Sequence, residues 1–146
     1  MNQTIQNFVE GKRIAVVGAS RSGNKFGNTV ITELKARGYQ VFVVHPEAQE
    51  IGGEPCYPDL AALQGRADGV WICVNPQQAE PVLRQAVQAG FKNIWLQQGA
   101  ESPQASAAAR ELGVEPVTGK CILMYAPPVQ SFHRWHRAFN KLIGQL

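Results

Sequence analysis

The residues with the clearest chemical promise stand between positions 18 and 27, where the chain reads Gly18-Ala19-Ser20-Arg21-Ser22-Gly23-Asn24-Lys25-Phe26-Gly27. Small residues let a backbone approach a ligand closely. Ser20 and Ser22 add hydroxyl groups, and Arg21 and Lys25 add cationic charge that can neutralise a pyrophosphate or a ribose phosphate. A helix starting where this segment ends would present free N–H groups and the positive end of its dipole to the same anion. A glycine-rich first turn also serves any doubly wound domain for backbone reasons alone, and a single surface Lys is commonly just solvated.

Two nucleotide motifs are weighed and set aside. The dinucleotide fingerprint G-x-G-x-x-G is absent, because the glycines fall at 18, 23 and 27. The next apolar run ends Val44-His45-Pro46, with no Asp or Glu to hold a ribose diol, and Glu47 lies past the proline. That disfavours an ordinary NAD enzyme. The P-loop G-x-x-x-x-G-K-[ST] is also missed: Gly18 and Gly23 have its spacing, but Asn24 precedes Lys25 and no Ser or Thr follows. ATP hydrolysis is disfavoured on that ground.

The elements that must position this loop read as an alternation. Arg13–Gly18, Val41–His45, Gly69–Val74, Asn93–Leu96 and Val114–Val117 are short apolar runs expected as buried strands. Between them, Phe26–Arg37 carries apolar residues at helical spacing and is stopped by Gly38. A second helix runs from Asn75-Pro76 to about Ala89, with Pro76 and Pro81 expected in or before its first turn. A third is capped by Ser102-Pro103 and ends at Leu112-Gly113. Ile51-Gly52-Gly53 reads as a turn with room for a short edge strand, and Asp59 caps a short helix to Leu63. The last helix, from about 130 to 143, places Phe132, Trp135, Phe139 and Leu142 on one stripe, which packs on the domain or on a second copy of the chain.

The expected fold is therefore α/β, a doubly wound Rossmann-like parallel sheet of about five strands with helices on both faces. Ligands of such sheets bind beyond the carboxyl ends of the strands, where strand order reverses. The loops brought together there are 18–27, 45–49, 74–78, 97–100 and 118–121.

The 146 residues suit one domain spanning 1–146, and 45% apolar with 17% charged is a globular balance. No apolar run reaches the roughly 18 residues of a membrane span, and the polar start has no signal-peptide pattern. The odd count of three cysteines, Cys56, Cys73 and Cys121, without a C-x-x-C, argues for a reducing compartment, hence the cytoplasm. The net charge of +3 is scattered and leaves no nucleic-acid footprint. His133 and His136 sit among Arg134, Arg137 and Lys141, a solvated basic face rather than a metal pair. No Ser-His-Asp order, paired carboxylates or H-E-x-x-H motif stands out.

Longer segments then carry a resemblance. VVGAS (Val16 to Ser20) with Gly27, VHPE (Val44 to Glu47), IGGEPCYPDL (Ile51 to Leu60), VNP (Val74 to Pro76), AGFKNIWLQQGA (Ala89 to Ala100) and Gly119-Lys120-Cys121 together span about residues 10–125. The chain resembles the stand-alone CoA-binding proteins, which in turn resemble the N-terminal CoA-binding domain of the succinyl-CoA synthetase alpha subunit. WLQQG is the most distinctive segment, and the family often has Asn-Pro where this chain has His45-Pro46.

The resemblance implies coenzyme A, or an acyl-CoA, as ligand. Ser20, Arg21, Ser22 and Lys25 would meet its phosphates. His45 and Pro46 would flank the adenine and ribose, and Asn75, Pro76, Leu96, Gln97 and Gln98 would line the path of the pantetheine arm. The synthetase's phosphohistidine lies in a further domain without a counterpart here, so no ligase chemistry is implied. Cys121, after Lys120, would stand near the ligand's thiol, where a lysine favours a thiolate; the bland alternative is a buried Cys121.

Two other classes stay open. One is an enzyme, nicotinamide- or CoA-dependent, using the same pocket with His45 as its visible acid or base. The other is a protein-interaction module that has lost the ligand, against which Arg21 and Lys25 argue.

Overall fold

Four of the five apolar runs form strands, the fifth meets its strand only at Val117, and the sheet gains two more. The computed structural model describes residues 2–127. In chain order the elements are α1 (Gln3–Glu10), β1 (Arg13–Val17), α2 (Phe26–Ala36), β2 (Gln40–Val44), β3 (Glu50–Ile51), β4 (Glu54–Tyr57), a short 3-10 turn (Leu60–Leu63), β5 (Gly69–Ile72), α3 (Pro76–Gln88), β6 (Ile94–Gln97), α4 (Pro103–Leu112), β7 (Val117–Lys120) and a second 3-10 turn (Ile122–Met124).

The strands lie in the order β3-β4-β2-β1-β5-β6-β7. Every neighbouring pair is parallel except the edge hairpin β3–β4. The fold is thus the expected α/β Rossmann-like one, with seven strands rather than about five. The extra pair grows from the Ile51-Gly52-Gly53 turn, whose glycines both adopt positive φ.

The strand residues divide by their period of two. Ile14, Val16, Val41, Val43, Trp71, Trp95 and Val117 pack on the side of α1 and α2. Ala15, Phe42, Val70, Ile72, Ile94 and Leu96 pack on the side of α3 and α4. Burial on both faces is why these strands read as unbroken apolar runs. The chain order reverses at β1, which pairs with β2 on one edge and β5 on the other, so the switch point lies at the carboxyl ends of β1 and β5.

Four details differ from the sequence reading. The polar N-terminus contains α1, whose Ile5, Phe8 and Val9 have helical spacing and are buried; Asn2 caps it, and the Phe8 ring meets Trp95 edge-on at 5.3 Å. Pro81 stands inside α3. It and Gln77, whose carbonyl loses its helical partner, are exposed, so water can serve that oxygen. The last strand starts at Val117 rather than Val114. Val114 is held by the end of α4, where Gly113 adopts φ 75°, Gly113 N–H donates to Arg110 O and Val114 N–H donates to Ala109 O. That double closure is a Schellman motif, and Pro116 follows it. Gln97, read as the first residue of a loop, ends β6. The helix expected near 130–143 lies outside the described residues.

Candidate functional site

The loop from β1 to α2 is shaped by two glycines. Gly18 has φ 132°, and a Cβ there would stand 2.1 Å from the Cys73 carbonyl oxygen. A Cβ on Gly27 would stand 2.5 Å from the carbonyl oxygen of Gly18. Only glycine at both positions lets the first turn of α2 sit directly on the end of β1.

What holds the loop open is Asn28, in the first turn of α2. Its Oδ1 accepts from Ser20 N–H at 3.0 Å and from Lys25 N–H at 3.3 Å, and its Nδ2 donates to Ser20 O at 2.9 Å. Within the loop, Ser22 N–H donates to Ser20 Oγ at 3.1 Å, and the two hydroxyls lie 2.8 Å apart. The sequence reading did not assign Asn28 a role. Its position, three residues after Lys25 at the helix start, is where capping logic looks for a reciprocal partner.

Arg21 and Lys25 are exposed. Arg21 meets Glu47 at 3.7 Å, with 63% and 71% of the two side chains exposed. So loose a pair contributes little and yields easily to a stronger anion. Beside them, His45 turns its ring back on its own loop: Nδ1 accepts from Glu47 N–H at 3.1 Å and Ala48 N–H at 3.0 Å. The ring proton of the neutral form is therefore on Nε2, which leaves that nitrogen as a donor.

A cavity of about 920 Å³ opens on the α3 side of these strand ends. Gly18, Ala19, His45 and Pro46 line it from the loops after β1 and β2, and Leu60, Gln64, Gln78, Val82 and Gln85 are among its other lining residues. Of the expected site residues, these first four share the cavity. Ser20, Arg21, Ser22 and Lys25 form the adjoining loop, and Gly27 lies buried in the first turn of α2. Asn75 precedes α3 without a side-chain cap bond, Pro76 begins that helix, and both are exposed. Gln98 is exposed at the end of β6.

Leu96 and Gln97 sit differently. Leu96 is fully buried in the α3 side core. Gln97 is 4% exposed on the other side, and its Oε1 accepts from Trp71 Nε1 at 3.0 Å and from Ile122 N–H at 3.1 Å. Its visible work is to join β5, β6 and the segment after β7. Glu101, also absent from the sequence reading, ties neighbouring loops, accepting from Gly99 N–H at 2.9 Å and Gly119 N–H at 3.1 Å.

Among the thiols, burial first and the neighbouring Cys121 second push the Cys73 pKa up, with Lys25 opposing. Burial and then Glu50 raise the Cys56 thiol on β4. Among the described residues no group of three or more His, Cys, Asp or Glu could hold a metal. No helix among them is long and apolar enough to cross a membrane.

A parallel sheet whose order reverses beside a glycine loop and a helix N-terminus is the anatomy of a Rossmann-like α/β domain. More narrowly, the chain belongs to the CoA binding domain family, whose model matches residues 12–127.

Among curated proteins it is similar to acetate–CoA ligase (ADP-forming) I of Archaeoglobus fulgidus, 31% identical over 123 residues that cover 77% of this chain and 18% of the ligase. The chain thus corresponds to a small part of that enzyme. It is also 27% identical to the uncharacterized protein YneT of Bacillus subtilis, over 76% of this chain and 82% of that protein. Among solved structures, a conserved hypothetical protein from Pyrococcus furiosus superposes with a TM-score of 0.73 at 38% identity, covering 77% of this chain and 97% of its own.

Proposed function

We propose that residues 1–146 act as one CoA-binding domain, taking coenzyme A or an acyl-CoA across the carboxyl ends of β1, β2 and β5 without catalysis of its own. The observation that carries this reading is the β1–α2 loop, held open by Asn28 beside a cavity walled by Gly18, Ala19, His45 and Pro46. Membership of the CoA binding domain family supports it.

In this reading the pyrophosphate meets the N–H groups of the loop and the hydroxyls of Ser20 and Ser22. Arg21 leaves Glu47 for a phosphate, and Lys25 adds the second charge. His45 and Pro46 flank the adenosine, which fills the cavity between α3 and the first 3-10 turn. The arm runs past Asn75, Pro76 and Gln98, whose neutral amides match its own. Leu96 and Gln97 support that path from below, since their side chains are buried. His45 is a poor general base here, because its Nδ1 already serves two backbone N–H groups.

The test is calorimetric titration of CoA, acetyl-CoA, NAD and ATP into the purified protein at low and moderate salt. Saturable binding of CoA well ahead of NAD and ATP, weakening with salt and lost in the double variant Arg21→Ala/Lys25→Ala, is the expected result. Binding of none of the four would overturn the reading.

A further inference from the structure

We propose that Glu101 selects the acyl group. Its carboxylate stands at the sulfur end of the arm's path and repels acyl groups that carry a carboxylate of their own. Free CoA and uncharged acyl groups are then the ligands. The proposal rests on the CoA reading and adds the class of acyl group to it.

Glu101 is held where two strand ends meet. β6 and β7 run parallel, but their register slips between the pairs Trp95–Val117 and Gln97–Lys120, two steps along β6 against three along β7. Gly119 lies in that slip with φ 71°. Its N–H donates to Glu101 Oε2 at 3.1 Å, and the N–H of Gly99, at φ 95°, donates to Oε1 at 2.9 Å. Both carboxylate oxygens are thus engaged, one by each strand's end. The negative charge is fixed in place rather than carried on a swinging side chain.

No cation answers that charge. Among the described residues no Lys or Arg forms an ion pair with Glu101. Lys120, next to Gly119, turns its Nζ over the Tyr125 ring, 6.0 Å from the centroid. The surface at the two glycines is open: both are exposed, and no heavy atom lies within 4 Å of where a Cβ would stand. A ligand can approach there, and a second negative charge beside the carboxylate is unfavourable.

This place lies at the end of the proposed path. The strand order puts β6 two strands from β1 and β7 one further. Two strand spacings are roughly 10 Å, a distance that an extended pantetheine arm spans. A ligand with its pyrophosphate on the β1–α2 loop and its arm past Asn75, Pro76 and Gln98 carries its sulfur outward in that direction. Gly99 and Glu101 come next along the chain after Gln98. The phosphates stay behind at β1, beyond a Debye length of about 8 Å at physiological salt, so the charge of Glu101 acts chiefly on the acyl group.

The test compares malonyl-CoA with propionyl-CoA, which differ by a carboxylate in place of a methyl group, in calorimetric titration of the full chain. CoA and propionyl-CoA should bind alike, and malonyl-CoA about tenfold more weakly at low salt. Added KCl should narrow that ratio by screening the repulsion between the two carboxylates. In Glu101→Gln, which keeps the length of the side chain and one acceptor oxygen, the ratio should fall close to one.

Equal affinity for malonyl-CoA and propionyl-CoA in the unmutated chain would overturn the proposal. So would a preference that salt leaves unchanged or that Glu101→Gln retains. Tighter binding of malonyl-CoA would overturn it in favour of Lys120. The salt series on the unmutated chain decides the matter even where the variant fails to fold. If CoA and propionyl-CoA bind and malonyl-CoA matches them, the role of Glu101 falls and the CoA site stands. If neither CoA nor propionyl-CoA binds, the CoA reading itself falls.

Discussion

Replacing Asn28 by alanine tests whether the β1–α2 loop is a prepared phosphate site or an ordinary turn. The substitution deletes three hydrogen bonds, two to Ser20 at 3.0 and 2.9 Å and one to Lys25 at 3.3 Å. Each such bond contributes about 0.5–1.5 kcal/mol net, and the longer, exposed bond to Lys25 belongs at the low end. A total near 2 kcal/mol is expected, roughly a 4–8 °C fall in Tm for a domain of this size. The loop would then have to be ordered by the ligand. If about 1.4 kcal/mol of that cost falls on binding, CoA affinity drops about tenfold. Thermal melting and calorimetry read the two quantities separately. Thr29→Ala, at the exposed neighbouring position, should move stability by no more than about 0.5 kcal/mol and leave binding alone. If Asn28→Ala lowers Tm as expected yet binds CoA like the unmutated chain, the phosphates do not sit on this loop.

Other substitutions probe the scaffold. Gly27→Ala places a Cβ 2.5 Å from Gly18 O; lifting α2 off the loop should cost about 1–3 kcal/mol in urea unfolding and abolish CoA binding, and a neutral result would contradict the packing described. Gln97→Leu leaves Trp71 Nε1 and the Ile122 N–H without their shared acceptor, so urea unfolding should show a loss of roughly 2–5 kcal/mol. Tyr39 is 4% exposed, donates its hydroxyl to Val9 O, and has its pKa pushed up to about 12 by burial. The neutral ring is thus favoured in the fold: its contribution is intact below the unfolded value near 10 and is lost as pH rises through the folded one. Stability of the unmutated chain should fall relative to Tyr39→Phe by about 2–3 kcal/mol across that window, and parallel pH curves would refute it.

The parts of the fold that announced themselves were those whose pattern is local. A strand buried on both faces is an apolar run, and Ser102-Pro103 or Asp59 caps a helix through its own neighbours. Where two local signals competed, the reading slipped. Val114 has the composition of a strand, but Gly113 before it closes α4 and claims it. In α1, Ile5, Phe8 and Val9 had helical spacing in view, yet eight residues with polar neighbours gain their stability from docking on the sheet, which spacing alone does not report.

The site divides along a similar line. Residues that would face a ligand, such as Ser20, Arg21 and His45, were legible because their chemistry is suited to an anion and the βα loop told where they would stand. The residues that hold those groups in place were not. Asn28 resembled any polar residue on a helix surface until its three bonds to the loop were seen. In the sequence Gln97-Gln98 looks like one polar loop, in which both amides would face a ligand. The period of β6 separates them, sending Gln97 inward to Trp71 and Ile122, which are 26 and 25 residues away in sequence, and leaving Gln98 exposed. Distances of that kind are set by strand order, and strand order is what the run of apolar segments does not encode.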